Sequence, residues 1–177
     1  MTNMFGARAC RSDVLRATAG LATFVHKWTP NTDKKLARLM SYINGRADDC
    51  SIGFIGDDLK DCYLALYADA DFAGCRATLK STGGAFLVLM GPNTFMPLTW
   101  SSRKHGSVSN SSTEAEVVTL ATALRLIGIP ALDLFEQLLG HKVDLVIFED
   151  NQATRTMALT GKYAKAMGHV KRCHGVQ

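Results

Sequence analysis

The order of apolar segments predicts an α/β domain, a mixed five-stranded sheet flanked by helices and preceded by a helical lead-in. Three observations predict it. Strand-like runs follow one another with turn residues between them, then come two helical stretches, one more strand-like run and a final helix. Glycine, proline and asparagine punctuate these runs. Two of the strand-like runs also close on an aspartate, Asp69 and Asp150, and the first long helix carries Glu116 in its first turn.

The lead-in, residues 1–48, is predicted to be helical. Helical spacing runs from Ser12, a possible N-cap, to Lys27, and Trp28-Thr29-Pro30-Asn31 breaks it. A second helix spans Thr32 to about Ile43, with Leu36, Leu39, Met40 and Ile43 on one face, and Asn44-Gly45 ends it. The main domain, residues 50–177, opens with a short strand candidate, Ser51–Ile55. Stronger candidates follow at Cys62–Tyr67, Gly83–Met90 and Thr94–Trp100, which read as an antiparallel meander. A helix from about Thr113 to Leu126 is set off by Gly128-Ile129-Pro130 from another that ends at Gly140. Val143–Phe148 is the fifth strand, and a helix from Asn151 to about Leu159 follows.

Composition narrows the classes. The 177 residues are 47% hydrophobic and 20% charged, with a formal net charge of +4, values ordinary for a globular domain and compatible with a polyanionic partner. Basic residues gather at Lys34-Lys35, at Arg103-Lys104-His105 and in the stretch after Gly161. Five scattered cysteines without a CxxC pair point away from zinc and disulfides and towards a reducing, intracellular location. Neither a signal peptide nor a run of 18 apolar residues is evident, so no membrane partner is expected.

The chemistry lies in the acids. Strands ending at Asp69 and Asp150 can lie parallel and adjacent, because two helices connect the meander to the later strand. Their ends would then share the edge where open α/β sheets bind ligands. Carboxylate oxygens suit Mg²⁺, and two such ions can serve phosphodiester hydrolysis. Plainer roles compete: Asp69 as a turn residue, Asp150 as a helix cap, and either glutamate of Ser111-Ser112-Thr113-Glu114-Ala115-Glu116 in a capping box. Glu114 and Glu116 flank the apolar stripe of Val117, Leu120, Ala121 and Leu124 about equally, so periodicity does not choose between them.

Five blocks in order resemble the ribonuclease H region of copia-type retrotransposon polyproteins. They are Tyr67-Ala68-Asp69-Ala70-Asp71-Phe72-Ala73-Gly74, Lys80-Ser81-Thr82-Gly83-Gly84, Thr99-Trp100-Ser101-Ser102-Arg103-Lys104, Ser111 to Glu116, and Glu149-Asp150-Asn151-Gln152. The lead-in is similar to the segment joining reverse transcriptase to ribonuclease H in those polyproteins. The resemblance implies a ribonuclease H-like fold that hydrolyses the RNA strand of RNA–DNA hybrids with two Mg²⁺ ions, Mn²⁺ being an alternative. It assigns the metal ligands to Asp69, Glu116 and Asp150, preferring Glu116 to Glu114. It offers Ser101, Ser102, Arg103 and Lys104 as contacts to the nucleic acid. The reverse transcriptase portion of the same polyprotein is the implied protein partner.

One block departs from the pattern. Where family members carry a fourth acid, this chain has Gly168-His169-Val170-Lys171-Arg172-Cys173-His174, with Lys171 near the acidic position. His169 or His174 could stand in by moving a proton. The sequence also stops at Gln177, short of the tail the resemblance leads one to expect, so a domain truncated at its C-terminus is expected. Lysine at the acidic position keeps open an inactive nucleic-acid-binding relic of the same fold, and a protein-interaction remnant using the lead-in is a third class.

Overall fold

The computed structural model of the protein describes residues 2–75 and 78–161. Helices α1 (Thr2–Ala9), α2 (Leu15–Ala22) and α3 (Pro30–Gly45) form the lead-in. Strands β1 (Tyr63–Cys75), β2 (Lys80–Gly91) and β3 (Thr94–Lys104) follow, then α4 (Ser112–Ala123), α5 (Ile129–Leu139), β4 (Leu145–Phe148) and α6 (Gln152–Thr160). The strands make one sheet in the order β3-β2-β1-β4. The meander β1-β2-β3 is antiparallel, and β4 runs parallel to β1. This is the mixed, helix-flanked sheet expected, with four strands among the described residues instead of five.

The strand that does not form is Ser51–Ile55. Only Phe54 bridges the sheet, opposite Phe95, while Ile52, Phe54 and Ile55 stay exposed. Gly53 and Gly56 flank the bridge, and the N–H groups of Gly56 and Asp57 both donate to the Thr94 hydroxyl at 3.1 Å. The segment is tied across the start of β3 instead of pairing along it. The lead-in also differs in detail: its first helix, α1, lies ahead of the helical spacing that begins at Ser12, and Ser12 sits in a 3₁₀ turn (Ser12–Val14) and caps no helix. For α3 the cap is Thr29, whose hydroxyl accepts from the Thr32 N–H, with Pro30 at the first helical turn.

Gly128-Ile129-Pro130 does not break the helix. A π turn, Leu124–Gly128, joins α4 to α5 into one 28-residue helix, Ser112–Leu139. A π turn shifts the hydrogen-bonding register where Pro130 lacks an N–H. By length and composition this helix could cross a membrane, yet its first half is buried against β1 and β2 and carries two buried glutamates.

The strand pleat sorts the sheet into two faces. Leu64, Leu66 and Ala68 of β1 and Ala85, Leu87 and Leu89 of β2 form the core with Leu120 and Ala123 of α4. Tyr67, Phe86, Trp100 and Phe148 stand in one register row across all four strands, alternating with those core residues. Within the row Tyr67 stacks on Phe148 at 4.6 Å between centroids, and Phe86 on Trp100 at 6.2 Å. The lead-in covers the β3 end of this row. Trp100 packs on the small core of Ala7, Val14, Leu15 and Leu39, and its indole N–H donates to the Ala7 carbonyl at 2.8 Å.

Candidate active site

Asp69 is not at a strand end. β1 continues through it to Cys75, and Asp69 pairs with Gly84 of β2, which pairs in turn with Ser102 of β3. The parallel pairing of β1 with β4, however, stops at Tyr67 opposite Phe148. Asp69 and Asp150 therefore each stand two residues beyond that last pair, at the C-terminal edge of the parallel ladder. Neither takes the plainer role. Asp69 lies within a paired strand, and the cap of α6 is Asn151, whose side-chain oxygen accepts from the Thr154 N–H at 3.1 Å.

The helix separates the two glutamates. Ser111 caps α4 by accepting from the Glu114 N–H at 3.1 Å, and the Glu114 carboxylate accepts from the Asn110 N–H at 2.7 Å. Glu114 thus belongs to the helix cap. Two residues on, Glu116 reaches the aspartates from the helix layer: carboxylate oxygens of Asp69, Glu116 and Asp150 lie within 4.8 Å of one another. Glu116 is only 7% exposed, and its Oε2 is buried without a hydrogen-bond partner. Burial, then the charges of Glu149, Asp69 and Asp150, push its pKa from 4.5 up to about 7, against the backbone N–H of Ala70, which favours the charged form. A buried carboxylate with an orphaned oxygen beside three others is a site short of positive charge, and all-oxygen donors fit a hard divalent cation.

Glu149 was not singled out by the sequence beyond its place next to Asp150. Its Oε1 accepts from the Asn151 N–H at 3.2 Å, and its Oε2 is buried without a partner. Burial raises its pKa first, and the charges of Asp150 and Asp69 add to the rise against the Asn151 bond.

A cleft of about 650 Å³ opens from the acids along the aromatic row. Asp69, Glu149 and Asp150 lie at one end, Phe86 and Trp100 along it, and Ser101 and Ser102 of β3 on its wall. Arg103 and Lys104 line a neighbouring cleft instead, and the Lys104 ammonium lies 2.9 Å from the Cys75 sulfur. The lead-in adds Ser12, Leu15 and Arg16 to the acidic cleft, and Arg16 pairs with Asp71 at its rim. No local sequence signal marks Arg16, which meets β1 only through the tertiary packing of α2. His169, Lys171 and His174 lie outside the described residues.

No family model matches the chain. It is similar to two retrovirus-related Pol polyproteins of Arabidopsis thaliana. The one from transposon RE2 is 31% identical over 161 residues, 90% of this chain and 10% of that protein. The one from transposon RE1 is 34% identical over 111 residues, 63% of this chain and 7% of that protein. An uncharacterised mitochondrial protein of the same plant is 42% identical over 111 residues, 43% of its length. The chain thus spans about a tenth or less of the Pol polyproteins it matches. A solved ribonuclease H1 isolated from compost shares 19% identity over 62% of this chain and 76% of that one at a TM-score of 0.35, a likeness too distant to add to the topology.

Proposed function

The chain belongs to the Pol polyproteins of copia-type retrotransposons, and we propose that it acts there as a ribonuclease H, cutting the RNA strand of RNA–DNA hybrids with divalent cations held by Asp69, Glu116 and Asp150. One observation carries the reading. Carboxylates from β1, α4 and the end of β4, remote in sequence, converge within 4.8 Å around a buried, unpartnered oxygen of Glu116. A divalent cation between these acids would offset their mutual repulsion.

Mg²⁺ or Mn²⁺ bound there supplies charge stabilisation at the phosphate and a more acidic water. The chain's own residues do the placing. Asp69 and Asp150 are fixed by strand register at one edge, and Glu116 is held by the first turns of α4 and the Ala70 amide. Ser101 and Ser102 line the cleft, and serine hydroxyls suit phosphates and 2′-hydroxyls of the hybrid. Arg103 and Lys104, one cleft away, are placed for the backbone of a longer duplex. The lead-in is the natural side for the reverse transcriptase portion of the polyprotein.

The test is incubation with an RNA–DNA hybrid and Mg²⁺ or Mn²⁺, beside Asp69→Asn. Cleavage leaving 5′-phosphate and 3′-hydroxyl ends is expected, reduced by about 10²-fold or more in the variant, as loss of several kcal/mol of charge stabilisation requires. Equal cleavage in both proteins, or none in either, overturns the enzyme reading. The absence of any acid between Asn151 and Gln177 favours one second reading, an inactive hybrid-binding relic. Salt-sensitive binding without cleavage is its signature.

A further inference from the structure

We infer that Arg16 of the lead-in binds a backbone phosphate of the hybrid beside the acids, exchanging Asp71 for it when the nucleic acid arrives; the inference rests on the reading of the cleft as a hybrid-binding site. The charge of the cleft calls for such a residue. Four carboxylates line it, those of Asp69, Asp71, Glu149 and Asp150, and among the described residues Arg16 is the one basic side chain that does. Cations at the three clustered acids would offset part of that repulsion, but Asp71 lies outside their group. A polyanion passing Asp71 needs a positive partner there, and a guanidinium takes a phosphate through two parallel N–H bonds.

Position and exposure support the same assignment. Arg16 lies on α2, which packs on β3, yet its side chain reaches Asp71 on β1, across β2 at the acid end of the cleft. Asp71 stands two residues beyond Asp69 on the same strand, roughly 7 Å along it and on the same face. A phosphate held by Arg16 therefore lies next to one held at the metal site. The root of the side chain is fixed, because Leu15 beside it is buried in the small core with Val14 and Trp100. The head is free to exchange: the Arg16 side chain is 65% exposed and that of Asp71 37%. An ion pair so open to water holds its partners weakly. Asp71 thus aims the guanidinium over the cleft without tying it up.

The experiment is binding of a fluorescein-labelled RNA–DNA hybrid to the full chain in Mg²⁺, read by anisotropy from low to moderate salt. The RNA strand is 2′-O-methylated so that it stays intact, and wild type, Arg16→Ala, Arg16→Lys and Asp71→Asn are compared. Arg16→Ala should weaken binding about fivefold or more and lower the slope of log Kd against log salt by about one, the loss of one phosphate contact. Arg16→Lys should keep the wild-type slope and lose part of the affinity, because the charge stays and the two-bond geometry goes. Asp71→Asn should bind at least as tightly as wild type, because it frees Arg16 and removes an acid. A merely structural ion pair would weaken Arg16→Ala and Asp71→Asn alike, and that result overturns the inference. So does an Arg16→Ala curve superimposed on wild type. Wild type that leaves an unmodified hybrid uncut, with the Arg16 pattern intact, brings down the ribonuclease reading alone. Wild type without binding at the lowest salt brings down both.

Discussion

Glu116 carries the clearest consequence of a single side chain. Its carboxyl titrates near 7 in the folded chain against about 4.5 unfolded, so the folded state holds its proton more tightly. Below the unfolded value both states are protonated and this group contributes no pH dependence. As pH rises from about 4.5 to 7 the unfolded chain ionises first, and stability falls by up to roughly 3 kcal/mol. Urea unfolding in a metal-free buffer should show that fall, and Glu116→Gln should flatten it. Added Mg²⁺ should restore wild type above pH 7 and leave the variant unchanged. A wild-type stability that is level or rising over this range would contradict the burial of that charge. The choice between Glu114 and Glu116 was not legible in periodicity, since both flank the apolar stripe. It depends on where the helix begins, and the Ser111 cap puts Glu114 at the end of the helix and Glu116 over the strands.

Two glycines show how elements approach each other. A Cβ on Gly83 of β2 would meet the Thr119 hydroxyl of α4 at 2.5 Å and its methyl at 2.9 Å. Thr119 is buried and its hydroxyl lies 2.9 Å from His105 Nε2, so it cannot yield easily. Gly83→Ala should cost about 1–3 kcal/mol, read as a lower urea midpoint with an unchanged slope. Gly74 differs: its added Cβ would land on the exposed carboxylate of Asp71, the partner of Arg16. Gly74→Ala should cost under about 1 kcal/mol of global stability, since an exposed ion pair contributes little. It should nevertheless speed amide exchange in α2. Strand length was only partly legible for a related reason. Ala68 to Gly74 is poor in β-formers, so the sequence alone ends the strand at Tyr67, whereas pairing with Gly83 and Gly84 carries it on. Ser51–Ile55 errs the other way, strand-like in composition but joined to the sheet at one bridge.

At the scale of the molecule, the lead-in and the sheet share the aromatic row. Trp100→Phe keeps the ring and loses the N–H bond to Ala7, a change of about 1 kcal/mol. Amide exchange should accelerate in α1 and α2 while β1 and β4 stay protected; equal acceleration everywhere would show that the lead-in and the sheet unfold as one unit. The order of helices and strands was legible because it follows from local periodicity. The docking of α2 beside the acids was not, because it rests on Leu15 and Arg16 meeting residues far along the chain. The five family blocks hold the three acids and Glu149 beside Asp150, but only the fold brings the charge of Glu149 to bear on Glu116.

The parallel pairing of β1 with β4 also sets a time order. β1 is followed within a few residues of sequence by its partner β2, but β4 reaches it only after the whole α4–α5 helix has been made and turned back. Joining residues about eighty positions apart carries the largest loop-closure cost within the sheet, so this contact should form late in folding. Asp69 would then meet Asp150 only in a chain whose helix layer is already in place. A divalent cation would select finished molecules, and it should slow unfolding far more than it speeds folding.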